Sequence, residues 1–285
     1  MRPLNEPNRL SRAREEYEAW APYYDLVHSG LPGEAEFYVT EGVMCGGEVL
    51  ELGVGTGRIA IPIAMSGGSV TGLDISPAML TICREKLAAV SPVKGRVELI
   101  EGDMRSFDLG HQFALVICPY RSFMHLLRYE DQADCLRCVL AHLAPGGRFI
   151  MNQWAARPTA VVRAMEMTPK GGLMPVEQYS VDEDTVVDHF HAARYDEHAQ
   201  TITEEHLLRE RIRAGEVLHE DRIGLVRAWT TPREMEALVR GCGFVVEGVW
   251  GGFDGRPFGP ESTEMIWCLR EGCAGASVST RNACL

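Results

Sequence analysis

Three glycines at every second position, Gly53, Gly55 and Gly57, close an apolar run that begins at Val49. Glu51 stands two places before the first of them, and Arg58-Ile59-Ala60 follows the last. That order reads as a buried strand, a tight turn and the start of a helix. Glycine in such a turn admits positive φ and lets backbone approach a ligand with no Cβ in the way. The helix start behind it offers free N–H groups. The chemistry is that of a nucleotide-sized ligand held at the carboxyl end of a parallel strand. A pyrophosphate is disfavoured. The third glycine comes one residue earlier than the dinucleotide fingerprint requires, and the Glu51 carboxylate would repel it. An amino group or ribose hydroxyls would suit that carboxylate.

Further reactive side chains follow at the ends of later apolar runs. Asp74 closes Ser69 to Leu73, seventeen residues after Gly57, near the ~20 expected for an acid that grips ribose hydroxyls. Ser76 then caps a helix whose first turn holds Pro77. Asp103 and Met104 follow the strand-like Val97 to Ile100. Beyond the wholly apolar Phe113 to Cys118 comes Pro119-Tyr120-Arg121-Ser122-Phe123-Met124-His125-Leu126. His125 there is either a general base or acceptor-orienting group, or a structural histidine bonded to a nearby carbonyl.

The pattern Glu51-x-Gly53-x-Gly55-x-Gly57 resembles the first motif of class I S-adenosylmethionine-dependent methyltransferases, and Gly72-Leu73-Asp74-Ile75-Ser76 resembles the second. The resemblance implies S-adenosylmethionine as cofactor, held by Glu51, Gly53, Gly55, Gly57, Asp74, Ile75, Asp103, Met104 and Cys118. Asp103 would accept from the adenine amino group, and Met104 would pack on the ring. The loop after Cys118 is similar to that of small-molecule N-methyltransferases, including the aminosugar and glycine groups. On that likeness His125 and Tyr24 are the catalytic candidates, and Tyr17, Tyr120, Arg121 and Phe123 line the acceptor site. Tyr23-Tyr24-Asp25 matches a segment that covers cofactor and acceptor in the family. The implied function is methylation of a small amine in specialised metabolism, with oxygen or carbon as the alternative acceptor atom. A dinucleotide-dependent oxidoreductase and a non-catalytic cofactor-binding protein are the rivals from other classes.

The elements that must position these residues are strands at Glu48–Leu52, Ser69–Leu73, Val97–Ile100 and Phe113–Cys118, with helices between them. Leu143 to Ile150 looks like the turn before a fifth strand. A β-α unit repeated five times with right-handed crossovers builds a doubly wound, Rossmann-like, mostly parallel sheet. Thr231 caps a helix running to Arg240. Phe244–Trp250 and Glu264–Arg270 then pair antiparallel, since parallel pairing needs a long crossover. The expected fold is α/β, with a seven-stranded sheet whose last strand is antiparallel. Residues 155–230 form an inserted antiparallel β cap, because Thr185–Tyr195, Thr201–Arg213 and Arg222–Trp229 alternate and are rich in β-branched residues. Such a sheet must bury one face, against the ligand edge or a second subunit. Tyr17, Trp20 and Tyr24 mark one face of a helical lid within residues 1–30, broken near Pro22. The core then comprises 31–154 and 231–270. Residues 1 to about 12 are expected to be mobile and 271–285 a disordered tail.

Composition narrows the partners. The 285 residues are 46% hydrophobic and carry a net charge of -12. That balance disfavours nucleic acid. No apolar run approaches the ~20 residues of a membrane span, and the polar N-terminus is no signal peptide. Nine scattered cysteines suit reduced thiols in a cytoplasm. Neither Cys135-x-x-Cys138 nor His189-x-His191 has the further ligands at committed spacing that a metal needs, so no metal is expected. The partner is a small molecule, and a homo-oligomer, such as a dimer, is expected to form through the inserted sheet.

Overall fold

A computed structural model describes residues 7–90, 92–155 and 172–272. Its centre is a seven-stranded sheet. β1 (Glu48–Leu52), β2 (Ser69–Asp74), β3 (Arg96–Glu101), β4 (Phe113–Cys118) and the first part of the pairing of β5 (Leu143–Trp154) are parallel. The last strand, β11 (Glu264–Glu271), enters antiparallel between β5 and β10 (Phe244–Trp250). The spatial order β10-β11-β5-β4-β1-β2-β3 reverses between β1 and β4. That reversal opens a crevice at the carboxyl ends of those two strands.

Alternation along the buried strands assigns each side chain to one of two layers. Leu50, Leu52, Val116, Phe149, Met151 and Trp267 join one core. Val49, Leu115, Ile117, Ile150 and Ile266 join the other. Helices α3 (Glu34–Met44), α4 (Ala60–Met65) and α5 (Pro77–Val90) supply Tyr38, Ile63 and Leu80 to the second layer. Helices α6 (Tyr129–His142) and α7 (Pro232–Gly241) supply Leu136 and Leu238 to the first. Thr231 and Glu234 form the reciprocal capping box that starts α7, as the Thr-Pro pair implied.

Ahead of α3, α1 (Pro7–Trp20), a single 3-10 turn (Ala21–Tyr23) and α2 (Tyr24–Val27) form the lid segment. Among the described residues, four strands lie between β5 and α7: β6 (Met174–Ser180), β7 (Thr185–Asp196), β8 (Thr201–Ile212) and β9 (Val217–Ala228), antiparallel in that order. Their apolar face, Val187, Leu208, Ile223 and Leu225, packs on Trp20, Ala21 and Tyr23 of the lid and Met79 of α5. The sheet therefore covers the ligand edge rather than hanging free.

Three expectations need adjustment. Leu143 to Ile150 is not a turn but the opening of β5, with a register shift between Phe113 and Leu115 on the partner strand absorbing Pro145 and its glycines. The cap has β6 as a fourth strand, whose short, exposed run lacks the alternation that marks the others. The expected mobile start is helical from Pro7. Residues 1–6 and the expected tail from 273 onward lie outside the described residues. No helix among the described residues is long and apolar enough to cross a membrane.

Candidate active site

The crevice at the β1/β4 reversal is a cavity of about 690 Å³, roofed by the lid and edged by the cap through Val226. Its floor is the glycine turn. Gly53 and Gly55 sit at φ 71° and 54°, where side-chain residues are strained. A Cβ on Gly53 would come 2.9 Å from Ser122 Oγ. At Gly55 the nearest neighbour is the Tyr24 ring at 4.0 Å, so the lid tyrosine lies over bare backbone. Gly53 N and Val54 N both donate to Leu73 O, at 2.8 and 3.1 Å, which stitches the turn to the end of β2.

Asp74 ends β2 and is 8% exposed. Gly55 N donates to its Oδ2 at 2.7 Å and Ser76 N to its Oδ1 at 2.9 Å. One carboxylate thus shapes the turn and faces the cavity, and each oxygen keeps a lone pair for a ligand hydroxyl. Burial pushes its carboxyl above the ordinary range, against the pull of the Ser76 and Gly55 N–H groups. Asp103 ends β3. It is bound by Arg105, whose Nη2 lies 2.7 Å from Oδ2 and whose backbone N donates to Oδ1 at 2.9 Å. Arg105 also reaches Asp131 of α6 at 3.2 Å. Sequence reasoning missed this bridge. The only signal was an arginine two places after an acid, which is common in turns.

The lid is pinned at several points. Asp25 Oδ1 accepts from Thr56 Oγ1 at 2.6 Å and from Lys86 Nζ at 3.1 Å. Tyr23 donates to Asp221 of β9 at 2.6 Å. The Tyr17 hydroxyl lies 2.6 Å from His125 Nε2, with the rings edge to face at 5.2 Å. Burial pushes the His125 imidazole down to about 3 and the Tyr17 phenol well above its usual value. Both are therefore neutral at pH 7. Tyr17→Phe is expected to lower unfolding free energy by about 1 kcal/mol, the net worth of such a bond, read from the urea midpoint. No change would mean the pair contributes nothing to closing the lid.

The cavity brings together Tyr17, Tyr24, Gly53, Gly55, Asp74, Ile75, Asp103, Met104 and His125 of the expected site residues. The others lie elsewhere. Gly57, at φ 82°, starts the helix beneath the turn, facing Ile61 and Cys83. Glu51 is 2% exposed, and its Oε2 is buried without a hydrogen-bond partner. Cys118 and Phe123 are 0% exposed and belong to the core, because strand alternation points the first inward and a 3-10 turn (Ser122–His125) points the second. Arg121 turns away to an ion pair with Glu264, itself held by Asn152 at 3.0 Å. Tyr120 lies under the Arg58 guanidinium, 4.8 Å from the ring centre. These two are corrected from acceptor-lining to supports of the loop.

The residues present fit an adenosyl sulfonium. Bare backbone at Gly53 and Gly55, acids at or just past the ends of two adjacent strands and the thioether of Met104 beside them suit adenine and ribose better than a phosphate. Residues 49–147 match the profile described as a methyltransferase domain. They form a methyltransferase domain. The chain is an S-adenosylmethionine-dependent methyltransferase, and S-adenosylmethionine is its cofactor.

The methyltransferase is 28% identical over 249 residues to the cypemycin N-terminal methyltransferase of a Streptomyces species, covering 86% of this chain and 93% of that one. It is 30% identical over 141 residues to the dTDP-3-amino-3,6-dideoxy-alpha-D-glucopyranose N,N-dimethyltransferase of Streptomyces fradiae. That match spans 47% of this chain and about half, 52%, of the relative. Among solved structures, the CcbJ methyltransferase from Streptomyces caelestis superposes with a TM-score of 0.73 at 25% identity, over 90% of this chain and 98% of that one.

Proposed function

We propose that this methyltransferase transfers its methyl group to an amine nitrogen of a small specialised metabolite. The observation that carries the reading is the state of His125. Its Nε2 is taken by Tyr17 and its imidazole is pushed down to about 3 by burial. A hydroxyl acceptor needs a base of matched strength within hydrogen-bond reach, and an imidazole so weakened is a poor one at pH 7. A neutral amine brings its own lone pair. Support also comes from the relatives, one named an N-terminal methyltransferase and the other an N,N-dimethyltransferase.

When bound, S-adenosylmethionine supplies an electrophilic methyl on a leaving thioether, so alignment dominates the catalytic task. In this reading Gly53, Gly55, Asp74, Ile75, Asp103 and Met104 hold the cofactor, with Glu51 and Gly57 acting from beneath the turn. Tyr24 and the Tyr17–His125 pair exclude water and orient the acceptor. Residues 1–30 act as lid, 31–154 with 231–270 as core, and 155–230 as cap. A cytoplasmic setting is supported by the seven described cysteines, all free thiols. Pairing of two copies through the cap is supported by exposed Val176, Val181, Val217 and Leu218, and light scattering after gel filtration reads it.

The test is turnover on matched amine and alcohol panels, with products assigned by mass spectrometry. Amines should react, with rates rising about tenfold per pH unit until the acceptor's own pKa. Transfer confined to hydroxyl or carbon would overturn the proposal. Asp74→Ala should weaken S-adenosylhomocysteine binding by about 2 kcal/mol, the scale of a lost charge-assisted bond. Unchanged affinity by calorimetry would remove Asp74 from the cofactor site.

A further inference from the structure

The cap buries imidazoles that methyl transfer does not use. Two-residue alternation brings His189 and His191 of β7 to one face, and Glu204 and His206 of β8 to the same face. The antiparallel register sets His191 directly opposite His206. One nitrogen from each of His191 and His206 and one oxygen of Glu204 lie within 4.8 Å of one another. His206 is 6% and Glu204 7% exposed. His191 Nε2 and His206 Nε2 are both buried with no hydrogen-bond partner. A stranded polar nitrogen costs about 1–3 kcal/mol, so two converging ones point to something that satisfies them.

The surrounding bonds set the proton positions. His189 Nε2 lies 2.9 Å from His206 Nδ1. Either tautomer of the pair leaves one N–H without an acceptor, on His189 Nδ1 or on His206 Nε2, and an ion at His206 Nε2 would select the one in which His206 Nδ1 donates to His189. His206 Nε2 then keeps a bare lone pair. That is how a ligating imidazole is oriented, by its other ring nitrogen. Glu204 is divided in the same way. Its Oε2 accepts from Arg227 Nε at 2.7 Å, while Oε1 lies 3.3 Å from His191 Nε2.

We infer that His191, His206 and Glu204 bind one divalent transition-metal ion of the zinc class, with His189 and Arg227 holding the ligands in place. Two imidazoles and a carboxylate are a zinc donor set, whereas magnesium and calcium prefer oxygen alone. Zinc bonds of about 2.0–2.2 Å put tetrahedral ligand atoms about 3.4 Å apart, so atoms now within 4.8 Å of one another need draw in by at most about 1.4 Å. Arg227 competes for the Glu204 charge, which lowers affinity. The ion would join two cap strands beneath the lid, since Trp20 stands edge-on to His206 with ring centres 4.8 Å apart. His189-x-His191 alone carried no such reading. The missing donors come from the neighbouring strand.

The test uses the full chain, stripped with chelator and titrated with Zn²⁺ by calorimetry and with Co²⁺ by absorption. One equivalent should bind saturably. The cobalt spectrum should show the visible bands of a low-coordinate ion without thiolate charge transfer. His191→Gln and His206→Gln should each weaken binding about tenfold or more, while Cys45→Ser leaves it unchanged. S-adenosylhomocysteine titration and circular dichroism check that each variant is folded. Absence of saturable zinc uptake, or a thiolate band in the cobalt spectrum, overturns the inference. So does zinc affinity unchanged in both folded histidine variants. Should a histidine variant fail to fold, the wild-type cobalt spectrum alone decides between nitrogen and sulfur donors.

Discussion

Glu34→Ala is expected to lower the unfolding free energy by about 3–5 kcal/mol, the range for removing one partner of a buried ion pair. Glu34 is 0% exposed at the start of α3. Its Oε2 lies 2.8 Å from Arg58 Nη2 and accepts from Leu31 N at 3.2 Å, and its Oε1 accepts from Tyr120 N at 2.8 Å. Tyr120 and Arg121 are consecutive left-handed residues, at φ 52° and 64°, and such conformations cost about 1–3 kcal/mol each. Glu34 holds the first of them, and the ion pair of Arg121 with Glu264 holds the second. Without the carboxylate, Arg58 stays half-buried with its charge unmatched, and the loop that carries Ser122 and His125 loses its anchor. Glu34→Gln keeps an acceptor for the N–H groups and should lose less. Urea denaturation reads both. A loss below about 1 kcal/mol in the alanine variant would show that this network does not hold the loop.

Acid should destabilise the protein through its buried imidazoles. Burial pushes His28 down to about 4 and His125 to about 3, from an ordinary 6.5. Folded, these imidazoles stay neutral as pH falls below 6.5, while the unfolded chain takes up protons. Their contribution to stability is therefore complete above about pH 6.5 and is lost progressively toward pH 3–4. At pH 4.5 the deficit is about 2.5 kcal/mol for each, or about 5 kcal/mol together. Unfolding free energies measured in urea at pH 7 and pH 4.5 check this. His125→Asn should remove its own share of the pH dependence, about 2.5 kcal/mol. A stability flat over that interval would mean that water reaches both rings.

Which parts of this were legible beforehand follows from how local each cause is. The glycine turn, Asp74 and the Ser76-Pro77 helix start are decided by residues within a few places of one another, and the structure places them at one crevice. Alternation sorted β1 and β4 into two buried layers because side-chain direction in a strand has period two. Arg121, Phe123 and Cys118 were misplaced for the opposite reason. Their neighbours in sequence said loop and strand end, but Glu264, Leu50 and Leu52, far along the chain, decided where they point.

By itself the sequence determined the class of fold, the cofactor and the strand ends that meet at the crevice, since backbone conformation and hydrophobic period are written in short windows. Only the tertiary structure joined Tyr17 to His125 across 108 positions and Arg121 to Glu264 across 143. It alone set His191 against His206, because pairing register depends on which strands meet and not on either strand's own pattern. Burial completed the work. It made His125 a weak base and left three imidazole nitrogens among the described residues bare, and no residue's identity announces how far it will be removed from water.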